Sequence, residues 1–509
     1  MRAVTAIASA AVGVAVLSSV VPLHAQRGPG RAAQAQQAGG ERSGPAQPPL
    51  WLPDDEYLRW PLPPSEQAYA ALSGRRVKGY INEITAISRK SRDDGNQYWG
   101  RITGTPYDKM TTDWIAAQFR RVGLEQVRIQ EFDLPPQWFP TSWEVVASAG
   151  ARSVPLKTAF PIYHSAGIGA VELEPVWAGL GLPADFMGRD VKGKAVIVYG
   201  IPTPGGRSDS ALTNGAAKRA EEAGAAALFI ILGIPGNVTN QPTGGEADPA
   251  TMPVMMLGME DGTAVREMIE KRQAPKLKMR LAVETKTGLK TASVWGVLPG
   301  ATDENIAVMA HTDSFFEGAM DNASGIGTLI ELAERYTKMP KAERRRSMTF
   351  FTSSAHHSPS GENAGLRWIH NNMQAMFAKT ALIVNCEHTS QVQTYLIGNS
   401  LVGSNAVSAR RWFVGGSDQL KAIVARSFKT FGIAIYSRPE TRPGGELGIV
   451  FTDAPSFHII DHAIYHTDLD TPALVPEPGL EAAVRAFARI IDDVNKLTLA
   501  ALKAPRPSD

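Results

Sequence analysis

Four apolar segments of this 509-residue chain are each followed by a histidine or a carboxylate, and this pattern constrains the fold more than any other feature. The segments have the length and composition of buried strands, and they are Ile306–Ala310, Met348–Thr352, Ala381–Val384 and Ala454–Ile460. In open α/β sheets, functional side chains gather outside the carboxyl ends of the strands. Four such strand ends in order predict one shared site at the edge of a sheet.

The first segment ends in His311 and Asp313, and a short loop leads to Asp321 at the start of a predicted helix. Asp313 can orient the imidazole of His311, and Asp321 can reach the same metal ion or bridge two ions. Imidazole and carboxylate ligands without a thiolate are typical of a catalytic zinc site rather than a structural one. The sequence therefore predicts a site for one or two zinc ions.

The later strand ends carry His356-His357, Asn385-Cys386-Glu387-His388 and, after the fourth segment, His466. With this set of strand ends, the chain resembles the co-catalytic zinc exopeptidases. That family includes bacterial leucyl-type aminopeptidases, plasma glutamate carboxypeptidase and the glutaminyl cyclases. The motifs that carry the resemblance are Gly100–Tyr107 with the amphipathic segment Thr112–Gly123, Val294–Gly300, Ile306–Gly325 and Tyr465–Thr471.

The resemblance implies a three-layer α/β/α sandwich with a mixed central sheet of the phosphorylase/hydrolase-like type. It also implies that one zinc ion is held by His311, Asp321 and Glu387. The second ion would be held by Asp321, His466 and the residue at the end of the second strand. The implied reaction is hydrolysis of a peptide substrate by water that a metal activates.

This chain departs from the family at the second strand end, where the family has Glu-Glu and this sequence has His356-His357. We interpret His357 as a metal ligand and His356 as the general base, since a neutral imidazole can fill either role. An alternative register places Glu362 as the base, and a third alternative is that no efficient hydrolytic base remains. Two fewer negative charges compensate the ions less well, so we expect the second site to be weaker.

Residues 154–285 resemble the protease-associated domain that is inserted in many secreted proteases, because strand and helix patterns alternate there without obvious chemistry. This small α/β unit would split the exopeptidase domain into residues 65–153 and 286–504. A lid or docking surface and a passive insertion remain equally open for the inserted domain. Gly479–Lys503 is predicted as the closing amphipathic helix.

The N-terminus has the pattern of an export signal, because Arg2 precedes an alanine-rich apolar stretch and Ala25 ends a small-residue cleavage motif. Residues 1–25 are therefore predicted as a signal peptide, with a retained membrane anchor as the alternative, and residues 26–64 as a disordered linker. A periplasmic or secreted location follows, without stable membrane association after signal cleavage.

Composition excludes some functions. The formal net charge of +2 gives no reason to expect a nucleic-acid partner, and the basic run Lys341–Arg346 is predicted to be a solvated loop. Cys386 is the only cysteine, so no internal disulfide can form, and a buried packing role is favoured. The leading functional hypothesis is a zinc exopeptidase of the aminopeptidase or dipeptidase type. The alternatives are a glutaminyl-cyclase-like enzyme and a degenerate homologue that binds peptides or metal.

Overall fold

The computed structural model describes residues 58–202, 210–242, 251–358, 364–397, 400–439, 453–461 and 464–503. The predicted signal peptide and nearly all of the predicted linker lie outside these ranges. No helix within these ranges is both long and apolar enough to cross a lipid bilayer.

The strands are numbered in chain order. They are β1 (Gly100–Arg101), β2 (Glu125–Asp133), β3 (Gln137–Ala149), β4 (Arg152–Pro155), β5 (Phe160–Pro161), β6 (Ile168–Leu173), β7 (Pro175–Trp177), β8 (Ala195–Gly200), β9 (Ala227–Leu232), β10 (Val254–Leu257), β11 (Lys276–Lys286), β12 (Lys290–Leu298), β13 (Thr302–His311), β14 (Ser314–Phe315), β15 (Arg346–Ser353), β16 (Thr380–Asn385), β17 (Val392–Ile397), β18 (Ser400–Val407), β19 (Arg411–Gly415) and β20 (Ser456–Ile460).

The α-helices are α1 (Gly74–Asp93), α2 (Pro106–Arg121), α3 (Pro183–Phe186), α4 (Ser210–Thr213), α5 (Ala216–Glu222), α6 (Met259–Glu270), α7 (Gly325–Thr337), α8 (Ala364–Ala378), α9 (Asp418–Phe431), α10 (Glu477–Val494) and α11 (Leu499–Leu502).

The central sheet has seven strands in the order β19-β20-β16-β13-β15-β12-β2. Its four middle strands, β20, β16, β13 and β15, are parallel to one another, while the flanking pairs are antiparallel. The four apolar segments of the sequence are these middle strands, so their carboxyl ends meet at one edge of the sheet. A strand buried on both faces is a continuous apolar run, which explains why the sequence revealed them.

Helices cover both faces of the central sheet. Ile306, Val308 and Ala310 of β13 belong to a large apolar core shared with α1, α2, α7, α9 and α10, while Ala307 and Met309 pack on the other face with residues of α8. Alternate residues of a strand point to opposite faces, so one strand serves both cores. The predicted three-layer sandwich with a mixed sheet is confirmed.

Two smaller sheets lie between the halves of this domain in sequence. The antiparallel sheet β4-β3-β11-β6 adjoins a sheet in the order β5-β10-β9-β8-β7, in which only β5 runs against its neighbour. We call residues 160–270, from β5 to α6, the five-stranded unit. It is an α/β arrangement of the kind expected for the insertion, and the predicted boundaries at residues 154 and 285 remain predictions.

Two sequence predictions need correction. The closing helix α10 ends at Val494, and a separate short helix, α11, follows it. The run Lys341–Arg346 is not wholly a solvated loop, since Arg344 and Arg346 are buried. Arg346 pairs with Glu304 at 2.7 Å, and its guanidinium also donates to main-chain carbonyl groups after α10. Cys386 is buried in the core as expected, and burial raises the pKa of its thiol.

Candidate metal centre

Asp321 lies at the centre of a buried cluster of histidines. Its Oδ1 atom is 2.9 Å from His311 Nε2 and 3.2 Å from His388 Nε2, and its Oδ2 atom is 3.0 Å from His466 Nε2. Among the described residues, neither oxygen of Asp321 has a hydrogen bond of normal geometry. A buried carboxylate costs free energy unless it is paired, so these oxygens fit a bound cation.

The electrostatics of Asp321 agree with that interpretation. Burial alone would raise its pKa, but His357, His388 and His311 hold the pKa of Asp321 well below its usual range. Burial lowers the pKa of His357 and of His466. Near neutral pH the site therefore presents an ionised carboxylate at Asp321 and neutral imidazoles at His357 and His466, which are the forms that bind metal.

In the part of the chain that the structure describes, two overlapping groups of side chains can hold a metal ion. One consists of His311, His356 and His357, and the other of Asp321, His357 and His466. Within each group the candidate ligand atoms lie within 4.8 Å of one another. We call the second group the Asp321 triad. The triad matches the ligand set predicted for the second ion, in which His357 occupies the end of the second strand.

Glu387 is placed less clearly than the resemblance implied. Its side chain is buried, its Oε2 atom accepts a hydrogen bond from Asn385 Nδ2 at 3.1 Å, and its Oε1 atom is 3.9 Å from His388 Nε2. It belongs to neither of the two groups found among the described residues. Its role as a ligand of the first ion remains a prediction.

His388 was not predicted as a site residue. Its Nε2 atom lies 3.2 Å from Asp321 Oδ1 and 3.9 Å from Glu387 Oε1. Its other ring nitrogen, Nδ1, accepts a hydrogen bond from the main chain of Asp461 at 3.2 Å. The only sequence signal was its position directly after Glu387 at a strand end. Because Nδ1 accepts, the hydrogen of the neutral ring is on Nε2, which faces Asp321, so His388 is placed to orient this carboxylate rather than to bind the metal.

Asp313 holds the His356-His357 turn rather than only orienting His311. Its carboxylate accepts hydrogen bonds from the main-chain N–H groups of His356 (3.2 Å) and His357 (2.6 Å) and from Thr103 Oγ1 (3.1 Å). The Nδ1 atom of His311 contacts the main-chain carbonyl of Asp313 at 3.1 Å, and the nearest oxygen of the carboxylate is 3.7 Å away. Asp313 thus fixes the position of the two histidines that replace the family's Glu-Glu.

Of the two candidate bases, His356 and Glu362, the structure describes only His356. The ring of His356 is half-buried, and its centroid is 4.5 Å from that of His311 and 4.5 Å from that of His357. This position is beside the candidate ligands, where a base would be needed. Glu362 lies outside the described residues, so the alternative register remains open.

A buried arginine supports the loop between His311 and Asp321. The guanidinium of Arg101 donates hydrogen bonds to the carbonyl groups of Thr312 (3.0 Å), Glu317 (2.8 Å) and Gly318 (3.1 Å). Burial lowers the pKa of Arg101 to about 10. Arg101 remains charged near neutral pH, and it fixes the loop that sets the distance between these two candidate ligands.

Asp470 acts at the same loop from the opposite side. Its carboxylate accepts hydrogen bonds from the main-chain N–H groups of Met320 (2.7 Å) and Asp321 (3.0 Å). Burial raises the pKa of Asp470 to about 7. The backbone of Asp321 is thereby oriented by a residue from the Tyr465–Thr471 motif.

Three residues of the site have backbone conformations that side chains other than glycine rarely adopt. The φ angles are +59° at Ala355, +46° at His388 and +54° at His466. Such conformations cost free energy and persist only where the surroundings impose them. Their concentration at these strand ends is typical of a functional site.

Comparisons with known proteins agree with the fold. Residues 293–491 match the model of peptidase family M28. Aminopeptidase YwaD of Bacillus subtilis is 28% identical over 262 residues, which are 49% of this chain and 50% of that protein. The chain therefore matches about half the length of this curated relative.

Two solved structures share the fold at low identity. The zinc aminopeptidase BSAP of Bacillus subtilis superposes with a TM-score of 0.59 at 18% identity, covering 85% of this chain and 98% of that one. The peptidase M28 precursor of Shewanella amazonensis SB2B has a TM-score of 0.67 at 15% identity, covering 87% and 97%. At these identities the likeness concerns the fold alone.

Proposed function

We propose that this chain, whose residues 293–491 match the model of peptidase family M28, is a zinc-dependent exopeptidase of the aminopeptidase or dipeptidase type. The observation that carries the proposal is the buried Asp321. Its two oxygens lie 2.9–3.2 Å from three imidazole nitrogens and lack hydrogen bonds of normal geometry within the described part of the chain. That donor set fits zinc.

The chain's own residues divide into two ligand sets. The Asp321 triad would hold one ion, and His311 with Asp321 and Glu387 would hold the other. When bound, zinc supplies a Lewis acid that polarises the scissile carbonyl and promotes the loss of a proton from water. With only Asp321 and Glu387 as anionic candidates, the second ion would bind more weakly than the first.

His356 is proposed as the group that accepts the proton. It lies beside His311 and His357, and Asp313 holds its main chain in place. A neutral imidazole accepts one proton and can return it to the leaving amine, which is the cycle that hydrolysis of a peptide bond needs. Glu362 is the competing candidate for this role.

The proposal is tested by metal content and turnover measured on the same sample. Purified wild-type protein should contain zinc and should cleave members of a panel of aminoacyl anilides and dipeptides. Asp321→Asn should lose both zinc and turnover, because this residue contributes to both ligand sets. The matched control is Asp133→Asn, an exposed carboxylate on β2 that pairs with Lys290 and belongs to neither ligand set, which should retain both. Wild-type protein that takes up no zinc would contradict the proposal.

A second candidate function is peptide or metal binding without turnover. It is favoured by one observation, the presence of His356-His357 where the family has Glu-Glu. In that case the wild-type protein would bind zinc but cleave no member of the panel. Peptides with N-terminal glutamine belong in the panel as well, because a glutaminyl-cyclase-like enzyme would cyclise them rather than cleave them.

We further propose that the mature chain is exported and that residues 154–285 form a protease-associated domain. The export proposal is supported by Arg2, the apolar stretch and Ala25. The domain proposal is supported by the five-stranded unit, whose sheet is separate from the central one.

A further inference from the structure

The two histidines of the Asp321 triad are both held by the five-stranded unit. The main-chain carbonyl of His357 accepts a hydrogen bond from the hydroxyl of Tyr163. The main-chain carbonyl of His466 accepts hydrogen bonds from the main-chain N–H of Gln241 (2.9 Å) and from Asn240 Nδ2 (3.2 Å). Residues far away in the sequence thus contact the backbone of two candidate metal ligands.

The contact at His466 has the form of a short antiparallel pairing. Asn240 is bridged to Thr467, and the main-chain N–H of Asp468 donates to the carbonyl of Thr239 at 3.1 Å. The main-chain N–H of Thr239 in turn donates to Asp468 Oδ1 at 3.1 Å. We call residues Thr239–Gln241 the docking segment. Leu469 continues the contact, because it packs against the apolar core of the five-stranded unit.

This pairing contacts a residue whose backbone conformation is energetically unfavourable. His466 has a φ of +54°, a conformation that costs a histidine free energy. Residues in such conformations persist only when surrounding contacts impose them. Hydrogen bonds at the carbonyl of His466 and at Asp468 therefore help to hold the imidazole of His466 beside Asp321.

The contact at His357 is similarly well defined. Asp313 accepts the N–H of His357, and Tyr163 donates to its carbonyl, so both main-chain polar groups of one residue are fixed. Tyr163 is buried among aromatic rings, with centroids 6.1 Å from Trp138 and 5.8 Å from Phe315. Phe315 also touches the rings of His357 (5.3 Å) and His466 (4.9 Å).

We infer that the five-stranded unit holds the Asp321 triad in its metal-binding arrangement. Tyr163 acts as a positioning residue for His357, and Asn240 acts as one for His466. Metal binding at the triad and docking of the unit are then thermodynamically linked, so each stabilises the other. This inference rests on the proposed metal-binding function and extends it to the role of the insertion. The insertion would then help to set the affinity of the triad for metal and would not be a passive addition to the fold.

The first experiment is a zinc titration of the metal-free full-length protein by calorimetry. His357→Ala identifies the binding step that belongs to the triad. Tyr163→Phe and Asn240→Ala should each weaken that step by about 10–100-fold, the usual effect of removing a group that orients a metal ligand. A step that does not involve His357 should change by less than about twofold, because its ligands lie on the central sheet.

The control separates positioning from general loosening of the unit. Asn214→Ala removes hydrogen bonds to Leu180, Ala216 and Arg219 within the five-stranded unit, and among the described residues no hydrogen bond joins Asn214 to a triad histidine. It should lower thermal stability without changing the triad step. Equal weakening by Asn214→Ala and Asn240→Ala would overturn the positioning role.

The second experiment uses hydrogen exchange to measure the reverse effect, which is the effect of zinc binding on the docking of the five-stranded unit. Zinc should slow exchange at the main-chain N–H groups of Gln241 and Asp468, which form the pairing. It should leave Phe229, in the middle of β9, unchanged. If zinc binds but these two amides are not protected, the inference is wrong and the proposed function stands. If the wild-type protein binds no zinc, the proposed function itself is wrong.

Discussion

The Nε2 atoms of His357 and His466 lie 3.0 Å apart in a fully buried setting, and their rings are perpendicular. A direct hydrogen bond between them requires one of the two nitrogens to carry a hydrogen. A shared metal ion requires both nitrogens to be bare, and Asp321 Oδ2 lies 3.0 Å from His466 Nε2 and 3.8 Å from His357 Nε2. The arrangement of these three groups is therefore the feature on which the metal assignment can be tested most directly.

His357→Ala should remove one step from a zinc titration of the metal-free protein and spare a step that depends on His311 and Asp321. The reason is that His357 supplies one of three side chains to the triad, whereas Asp321 keeps its contacts with His311 and His388. Calorimetry with zinc measures this outcome. His370→Ala, a histidine on α8 outside the cluster, is the matched control and should leave the titration unchanged.

Arg101→Met should destabilise the protein and weaken zinc binding together. The substitution keeps a long apolar stem but removes the guanidinium donors. The carbonyl groups of Glu317 and Gly318 keep hydrogen bonds from Ser88 Oγ and from the main-chain N–H of Ala323, whereas the carbonyl of Thr312 loses its side-chain donor. A buried polar group left unsatisfied costs about 1–3 kcal/mol, so a loss of about 1–3 kcal/mol of unfolding free energy is expected. Denaturant unfolding and zinc titration measure the two effects. Unchanged zinc affinity would show that Arg101 does not set the position of the loop between His311 and Asp321.

Asp108→Asn should change how stability depends on pH. Burial raises the pKa of Asp108 to about 7, which is above its value in the unfolded chain. The folded protein therefore binds more protons than the unfolded one between about pH 4 and 7, so this residue makes stability fall as pH rises through that window. Three pKa units correspond to at most about 4 kcal/mol at pH 8.

The asparagine variant should lack this decline, because it stays neutral and can still accept the hydrogen bond from the main-chain N–H of Gly104. Unfolding free energies measured between pH 4 and 8 provide the test. Asp133→Asn, an exposed residue on the neighbouring β2, should keep the wild-type slope. Parallel slopes for Asp108→Asn and wild type would contradict the prediction.

The export proposal makes a separate prediction. When the gene is expressed in a Gram-negative host, the mature protein should begin near Gln26, because Ala25 ends the cleavage motif. N-terminal sequencing of the periplasmic fraction measures this directly. An intact Met1 on protein recovered from the cytoplasm would contradict the prediction.

Much of the central domain was predictable because buried parallel strands leave a strong signal. The runs that precede His311 and Asn385 are continuously apolar, and the run that precedes Ser353 interrupts apolar residues only with threonine. A chain segment of that kind has few alternatives inside a globular protein. Their polar ends then had to meet at one edge of the sheet. For this reason the sequence predicted that four residues lie close together, and the structure places them so. They are His311, Asp321, His357 and His466, and their roles as ligands remain predictions.

The features that were missed depend on contacts between distant residues. His388 was overlooked because the chain turns sharply after β16, and a φ of +46° cannot be read from the residue type. The burial of Arg346 depends on Glu304 and on the carbonyl groups of Val494, at the end of α10, and of Leu497. The docking segment meets His466 across 226 residues, and no local pattern marks either side of that contact.

The identity of the base is decided by comparing His356→Ala with Glu362→Gln. If His356 is the base, its replacement should reduce kcat by about 10²–10⁴-fold, the usual contribution of general base catalysis. Zinc binding by the triad should persist in this variant, because Asp321, His357 and His466 are all retained. Turnover of a preferred substrate and a zinc titration on the same samples provide the measurement.

Glu362→Gln keeps the size of the side chain and removes its ability to accept a proton. If this change abolishes turnover while His356→Ala does not, the alternative register is correct and the assignment of His356 is wrong. If neither change affects a measurable rate, another group accepts the proton. His370→Ala and Glu343→Gln, which lie outside the cluster, should behave as wild type in both assays. Because Asp313 fixes the main chain of both His356 and His357, His356→Ala should leave His357 in place, and a lower rate can then be attributed to the missing imidazole.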